Sequence, residues 1–367
     1  MDGRTRVANA IARRPLDRIP RYDSFWEDTL TAWRAQGMPA DADPDEFFDW
    51  DMRMMHIDAS MRQDQRVLES DGTFIVYKDR AGYTVRKMIG KSRALDWLDH
   101  VTKDKETWRE LRRGFAFDPK ASARLDVKSY FAHMDAYPTW TEAKAQFDRL
   151  RATGKAIAFA VYGPWEATWR HRGYTQLLMD LAMDPDWVVE MATAQSDLVI
   201  ACLQHSIDAG MKPDALFLID DLACTRGLLF SPDSWRQIFK PVYAQYGDFL
   251  HAHGMGFWLH CCGNCTALIP DLIQCGLDVL QPLQAQAGMV ITQLKRDFGR
   301  DLTLWGNIDV TKLSGPEAEC EAEVRDKILA AKTGGGYMYH SDHSIPPEVT
   351  FDRYQRIMEL VDRYGGY

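Results

Sequence analysis

The chain has 367 residues, of which 46% are hydrophobic and 26% charged, and its formal net charge is −9. That supports one large barrel with insertions or two modest domains, and it argues against a disordered chain. No Lys/Arg-rich face offers itself to nucleic acid, no apolar run approaches the roughly 18 residues of a membrane span, and MDGRTRVANAIARRPLDRIP lacks a secretory core; a soluble, cytoplasmic protein is expected.

In chain order, RIPRYDSFW (Arg18 to Trp26) reads as a first strand entering a turn, and a helix follows over Glu27 to Gln36. Pro44 to Met61, rich in acidic residues, Met and aromatics, reads as helical. Arg66 to Lys91 carries two turn signals between β-branched and aromatic alternations, which predicts a small antiparallel hairpin or meander. Asp104 to Arg113 reads as a polar helix, and Lys120 to Lys128 as a surface connection.

From Lys155 the rhythm becomes regular. Apolar runs at 156–164, 215–221, 256–264, 277–283, 302–309 and 336–343 alternate with amphipathic segments such as 231–254. Near-continuous apolar strands separated by helices indicate a parallel α/β sheet. The polar residues gather at the C-terminal strand ends, where a (β/α)₈ barrel carries its site. An open doubly wound sheet also binds there, but no G-x-G-x-x-G follows the first strand. The expected fold is a TIM (β/α)₈ barrel spanning 1–367 as one domain, with 1–150 supplying the first strand, helices and the meander insertion.

Seven cysteines are present, four of them between 261 and 275. In a chain without a secretory signal such clustering points to metal or thiol chemistry before disulfides. In WLHCCGNC (258–265) strand alternation puts His260 and Cys262 on one face, with Cys261 away and Cys265 uncertain. An imidazole and a thiolate suit zinc. A third ligand is sought in YMYHSDHSIPP (337–347), where His340, Asp342 and His343 compete. A redox pair or half of a structural zinc site is the plainer alternative for Cys262-x-x-Cys265; the missing second CxxC argues against a closed four-cysteine site.

RRPLDRIP (13–20), TKDKETWREL (102–111), GPWEATWRHRG (163–173), IDDL…SPDSWRQIFKP (219–241), HCCGN (260–264), WGNID (305–309) and GGYMYHSDHSIPP (335–347) together resemble the uroporphyrinogen decarboxylase superfamily, in order along nearly the whole chain. The resemblance implies a TIM barrel. The true decarboxylases carry an N-terminal MRQAGRY-type motif and need no metal; RYDSFWEDTL (21–30) stands here instead. The corrinoid-linked methyltransferase branch carries His-x-Cys and a later Cys in GC-x-x-PP. His260 and Cys262 match the pair, and His343 stands at the later cysteine's place. The implied metal ligands are therefore His260, Cys262 and His343.

That departure favours the O-demethylase-like subtype: a zinc-dependent methyltransferase that passes a methyl group from a methoxylated or otherwise methylated small molecule to a cobalamin (corrinoid) protein. The alternatives are a metal-free decarboxylase and a methylcorrinoid:thiol methyltransferase. The expected catalytic residues are Glu166, a fourth ligand or general acid, and Asp220 or Asp221, orienting a ligand or the substrate. Trp165, Asn264, Asn307 and His340 are the expected substrate contacts. Glu166 also has a bland role at a helix start, and Asp220-Asp221 a bland role as a loop cap. Cobalamin would come with its own protein, and a homodimer is left open.

Overall fold

Alternation within single strands decides the architecture. In the computed structural model, which describes residues 1–92, 95–128 and 136–367, Ala156, Ala158 and Ala160 join one apolar cluster while Ile157, Phe159 and Val161 join another. Small residues face away from the helices, and large branched or aromatic ones face them. Trp258 and Trp305, both fully buried, fill the space the alanines leave. Both faces of the sheet are thus apolar, as a parallel sheet covered on each side requires.

The strands are β1 Met52–Ile57, β2 Arg66–Ser70, β3 Phe74–Lys78, β4 Tyr83–Met88, β5 Leu95–His100, β6 Leu125–Asp126, β7 Ala156–Tyr162, β8 Ala215–Ile219, β9 Ala223–Cys224, β10 Gly227–Leu228, β11 Gly256–His260, β12 Val279–Gln281, β13 Thr303–Trp305 and β14 Tyr337–Met338. Eight form the main sheet in the order β14-β13-β12-β11-β8-β7-β1-β6, and every neighbouring pair is parallel except β1 with β6. This is a TIM-barrel-like α/β architecture. The six apolar runs read from the sequence all become strands of this sheet, shortened to their buried cores.

The first third departs from expectation. Arg18 to Trp26 is not a strand: it makes isolated bridges, Arg21 with Tyr339 and Phe25 with Ile345, and Arg21 O accepts from Asp51 N at 3.0 Å. Pro20 removes a donor a ladder would need. The helix read over Pro44 to Met61 is confined to Pro44–Phe47. Asp49 takes a positive φ of 50°, and MRMMHI then runs extended as β1, paired with β7 from Met52↔Ala156 to His56↔Ala160. The acidic residues that suggested a helix instead hold the strand's entrance: Asp51 pairs with Arg6 and Arg18, and Asp43 and Asp45 pair with Arg53.

The meander is present as four sequential antiparallel strands, β2 to β5, and extends past Lys91 to His100; residues 93 and 94 lie outside the described ones. Helix Glu27–Ala35 forms as read, and Asp104 caps a helix over Lys105–Leu111. The long amphipathic stretch is two helices, Pro232–Ile238 and Lys240–Ala252, broken at Phe239 with Pro241 opening the second. Among the described residues no helix is long and apolar enough to cross a membrane.

Candidate metal centre

Parity along the strands selects the side chains at the C-terminal edge. On β11, Trp258 lies in the cluster facing away from the helices, so His260 and then Cys262 follow on that face. Cys262 Sγ lies 3.3 Å from His260 Nε2. On β8, Phe217 and Ile219 belong to the same cluster, and Asp221 follows them. Its Oδ1 lies 3.5 Å from His260 Nε2 and accepts from Cys262 N at 2.8 Å. One donor atom each from Asp221, His260 and Cys262 falls within 4.8 Å of the others.

The loop after Cys262 is shaped by Gly263. Its φ is +79°, and a Cβ there would come within 2.5 Å of the Ala223 carbonyl carbon. Gly263 N donates to Gln284 Oε1 at 2.7 Å. Burial first, then the Asp221 and Glu166 carboxylates, pushes the Cys262 thiol well above its usual range; a thiol so placed needs a cation to become a thiolate. Cys261 points away as expected. Its sulfur accepts from Leu222 N at 3.4 Å, and a hydrogen bond with Cys265, then burial, raises its thiol. Cys265 is therefore a core partner of Cys261 and stands outside the donor group.

Asp220 and Asp221 have different tasks because they have different parity. Asp220 is turned to the helix side, where it accepts from Glu166 N at 2.7 Å, Trp165 N at 3.4 Å and Tyr243 Oη–H at 2.6 Å. It caps helix Pro164–Arg172 from outside. Gly163 leaves room for it, since a Cβ there would sit 2.4 Å from Asp220 Cγ. Complete burial pushes the Asp220 carboxyl up to about 8. Glu166, on the first turn of the same helix, is buried and paired with Arg170. Burial raises its carboxyl, Arg170 pulls it down, and Asp221 raises it again. Glu166 and Asp221 thus share one electrostatic field at the sheet edge.

The other expected residues are placed as follows. His343 stands outside the donor group and packs its ring against Trp26, 5.7 Å between centroids. Ser341 fixes this turn: its Oγ lies 2.5 Å from both Asp23 Oδ1 and the His343 carbonyl, which share its one hydroxyl proton. Asp342 is buried, accepts from Ala285 N and Val310 N at 3.0 and 2.9 Å, and is pushed up to about 6 by burial. Asn307 uses its amide to hold the carbonyls of Leu283 and Met289 at 2.5 and 2.6 Å. Asn264 Nδ2 donates to Ala287 O at 3.0 Å. Trp165 is fully buried against Phe230, Phe239 and Tyr174.

His340 is buried, stacked on Tyr22 and edge-on to Trp305. Burial pushes its imidazole below the usual range against the pull of Asp23, which favours the neutral ring. Between His340 and His260 lies Gln281, to which the sequence reading gave no role. Its Oε1 is 2.5 Å from His260 Nδ1, and its Nε2 is 3.3 and 3.2 Å from the two ring nitrogens of His340. The available signal was parity, since Val279 and Gln281 share the face of Trp258 and His260.

A cavity of about 40 Å³ opens between β1, β7 and the meander, lined among others by Asp58, Asp79, Arg80, Tyr83, Arg170 and His171. Arg62 and Arg124 reach Asp58 from outside. The donor set itself, one nitrogen, one sulfur and one carboxylate oxygen with both ring nitrogens of His260 reaching partners, matches the ligand chemistry of a three-residue zinc site.

A parallel sheet with polar clusters at its C-terminal edge defines the class: an α/β protein of TIM-barrel-like design with a site at the strand ends. The sequence profile of the uroporphyrinogen decarboxylase (URO-D) family matches residues 118–364, and the chain belongs to that family. A uroporphyrinogen decarboxylase from Arthrobacter sp. (strain FB24) is 28% identical over 179 residues, 48% of this chain and 49% of that protein. The match therefore spans about half the length of this relative. The fold is similar to that of a methyltransferase from Methanosarcina mazei, with a TM-score of 0.65 and 15% identity over 99% of each chain.

Proposed function

We propose that the chain is a zinc-dependent methyltransferase of the URO-D family that takes a methyl group from a methoxylated or otherwise methylated small molecule and delivers it to a corrinoid protein in the cytoplasm. In this reading residues 1–367 form one barrel domain, with the extended 18–26 segment standing between the last and first strands. The observation that carries the proposal is the convergence of Asp221, His260 and Cys262 within 4.8 Å. His260 Nε2, Cys262 Sγ and a carboxylate oxygen of Asp221 would hold the ion. Bound there, zinc supplies Lewis-acid polarisation of the oxygen from which the methyl group departs.

The chain's own residues do the rest. Glu166, whose carboxyl is raised by burial and by Asp221 and lowered by Arg170, is the group proposed to pass a proton to the departing oxygen. Asp220 keeps helix Pro164–Arg172, and with it Glu166, against the strand ends. Asn264 and Asn307 tie down the carbonyls of Ala287, Leu283 and Met289, and Trp165, Asn264, Asn307 and His340 stay the proposed substrate-side residues.

A second reading, metal-free decarboxylation of a carboxylated substrate, has support of its own. The sequence kinship favours it, because the family profile and the Arthrobacter relative both bear the decarboxylase name. Arg80 and Arg170 at the cavity between β1, β7 and the meander are cations of the kind that receive carboxylates, here paired with Asp58 and Glu166. One assay separates the two. Purified chain is analysed for zinc, then incubated with methoxylated aromatics plus Co(I) cobalamin, and in parallel with carboxylated substrates while CO₂ release is followed. Near-stoichiometric zinc and chelator-sensitive methyl transfer are expected. Carbon dioxide release by zinc-free protein, unaffected by chelator, would establish the second reading instead.

A further inference from the structure

Which nitrogen of His260 faces Cys262 and Asp221 is decided some distance away. His340 Nδ1 points at two groups that can only accept: the Ser341 carbonyl and, at 3.5 Å, Asp23 Oδ1. A neutral His340 therefore carries its proton on Nδ1, leaving Nε2 bare. Ser24 Oγ lies 3.4 Å from that bare nitrogen. The Gln281 amide nitrogen is within 3.3 Å of both ring nitrogens, but only the bare Nε2 can accept from it. Turning the amide over would set its oxygen against that lone pair, or force the His340 proton to Nε2 and leave Nδ1 facing two acceptors.

With the amide so oriented, Gln281 Oε1 lies 2.5 Å from His260 Nδ1. A carbonyl oxygen demands a donor, so His260 carries its proton on Nδ1. In the neutral ring its Nε2 is then a lone pair aimed at Cys262 Sγ and Asp221 Oδ1. We propose that Gln281 is a positioning residue that locks His260 in the tautomer required of a metal ligand, and that the Ser341 carbonyl dictates the lock through His340. All three side chains stand on one face, and Gln281 and His340 are buried, so water does not compete for these bonds.

The consequence for metal rests on the zinc reading; the tautomer does not. The test uses the full chain labelled with ¹⁵N-histidine and freed of metal by chelator, with long-range ¹H–¹⁵N spectra assigned from single histidine variants. His260 and His340 are both expected as Nδ1–H tautomers. In Gln281→Leu the His260 signal should shift to mixed tautomers, whereas Gln281→Glu, which still offers an oxygen, should retain Nδ1–H. Zinc titration against a chromophoric chelator should show Gln281→Leu weakened about 10–100-fold, as loss of a ligand's outer partner typically does, with Gln281→Glu close to wild type. Wild-type His260 protonated on Nε2, or Gln281→Leu with unchanged tautomer and zinc affinity, would overturn the proposal; the wild-type spectrum decides even where Gln281→Leu does not fold. The expected tautomers in a wild-type chain that binds no zinc would sustain the lock and refute the zinc reading.

Discussion

Cys262 Sγ stands 3.3 Å from His260 Nε2, on a strand end where Asp221 closes the third side. With metal bound two of these three donors are anions, and the cation is what holds a thiolate and a carboxylate this near one another. Replacing zinc by cobalt(II) should give the near-ultraviolet band of a thiolate ligand. Cys262→Ser should abolish that band, and Asp221→Asn should weaken metal binding by at least about tenfold. His343→Ala should leave stoichiometry unchanged, because its ring packs on Trp26 outside the group. Loss of metal in His343→Ala with full binding in Asp221→Asn would restore the ligand set that the family resemblance implied.

Asp220 provides a pH signature in stability. Its carboxyl is raised from 3.8 to about 8 by burial, so between those values the folded chain holds a proton that the unfolded chain has released. Stability from this group is complete below pH 4 and is lost as pH rises through about 8, with a limiting slope of about 1.4 kcal/mol per pH unit. Urea unfolding between pH 5 and 9 should show that decline in wild type and a flatter profile in Asp220→Asn, whose amide still caps Glu166 N and bonds Tyr243. Identical pH profiles for the two proteins would mean that Asp220 is ionised in the fold.

The sheet was legible because its signal is repeated: six apolar runs, each bounded by polar strand ends. So was the pair His260 and Cys262, since strand parity needs no tertiary information. Parity could also have separated Asp221 from Asp220, because Phe217, Ile219 and Asp221 alternate with Leu216, Leu218 and Asp220. The resemblance drew attention to His343, and that position turns on the Ser341–Asp23 hydrogen bond between residues 318 apart in sequence. Gln281 was legible only as a polar strand end sharing the face of His260; its role lies in two rings on neighbouring and distant strands. The helix expected over Pro44 to Met61 failed because acidic residues there answer to Arg6, Arg18 and Arg53, not to helix periodicity.

Gly263 tests the loop that aims Cys262. With φ at +79° and no room for a Cβ beside Ala223, Gly263→Ala must move the backbone away from β9. A cost of about 2–3 kcal/mol in unfolding free energy is expected, combining left-handed strain with overpacking. Metal affinity should fall together with stability, since Cys262 N and Gly263 N hold Asp221 and Gln284. A stable Gly263→Ala chain with unaltered zinc binding would show that the loop tolerates a shift the close approach forbids.

The Glu166–Arg170 pair sets the charge felt across the site. Both side chains are buried one helical turn apart, and Arg170 is the main influence keeping Glu166 from the full effect of burial. Arg170→Met leaves Glu166 alone in an apolar setting, so its carboxyl should rise further. A raised acid stabilises the fold at low pH and loses that contribution as pH climbs, so the variant's deficit should grow from pH 5 to pH 8, reaching about 3–5 kcal/mol. The double change Glu166→Gln with Arg170→Met removes the stranded charge and should recover most of the loss at pH 8. In methyl transfer, Glu166→Gln alone should lower kcat by about 10²–10⁴-fold if it gives up the proton to the departing oxygen, with KM little changed because the group acts after binding. A double variant as unstable as Arg170→Met would place the loss in packing and not in charge, and an unaltered kcat in Glu166→Gln would leave Glu166 only its structural place on the helix.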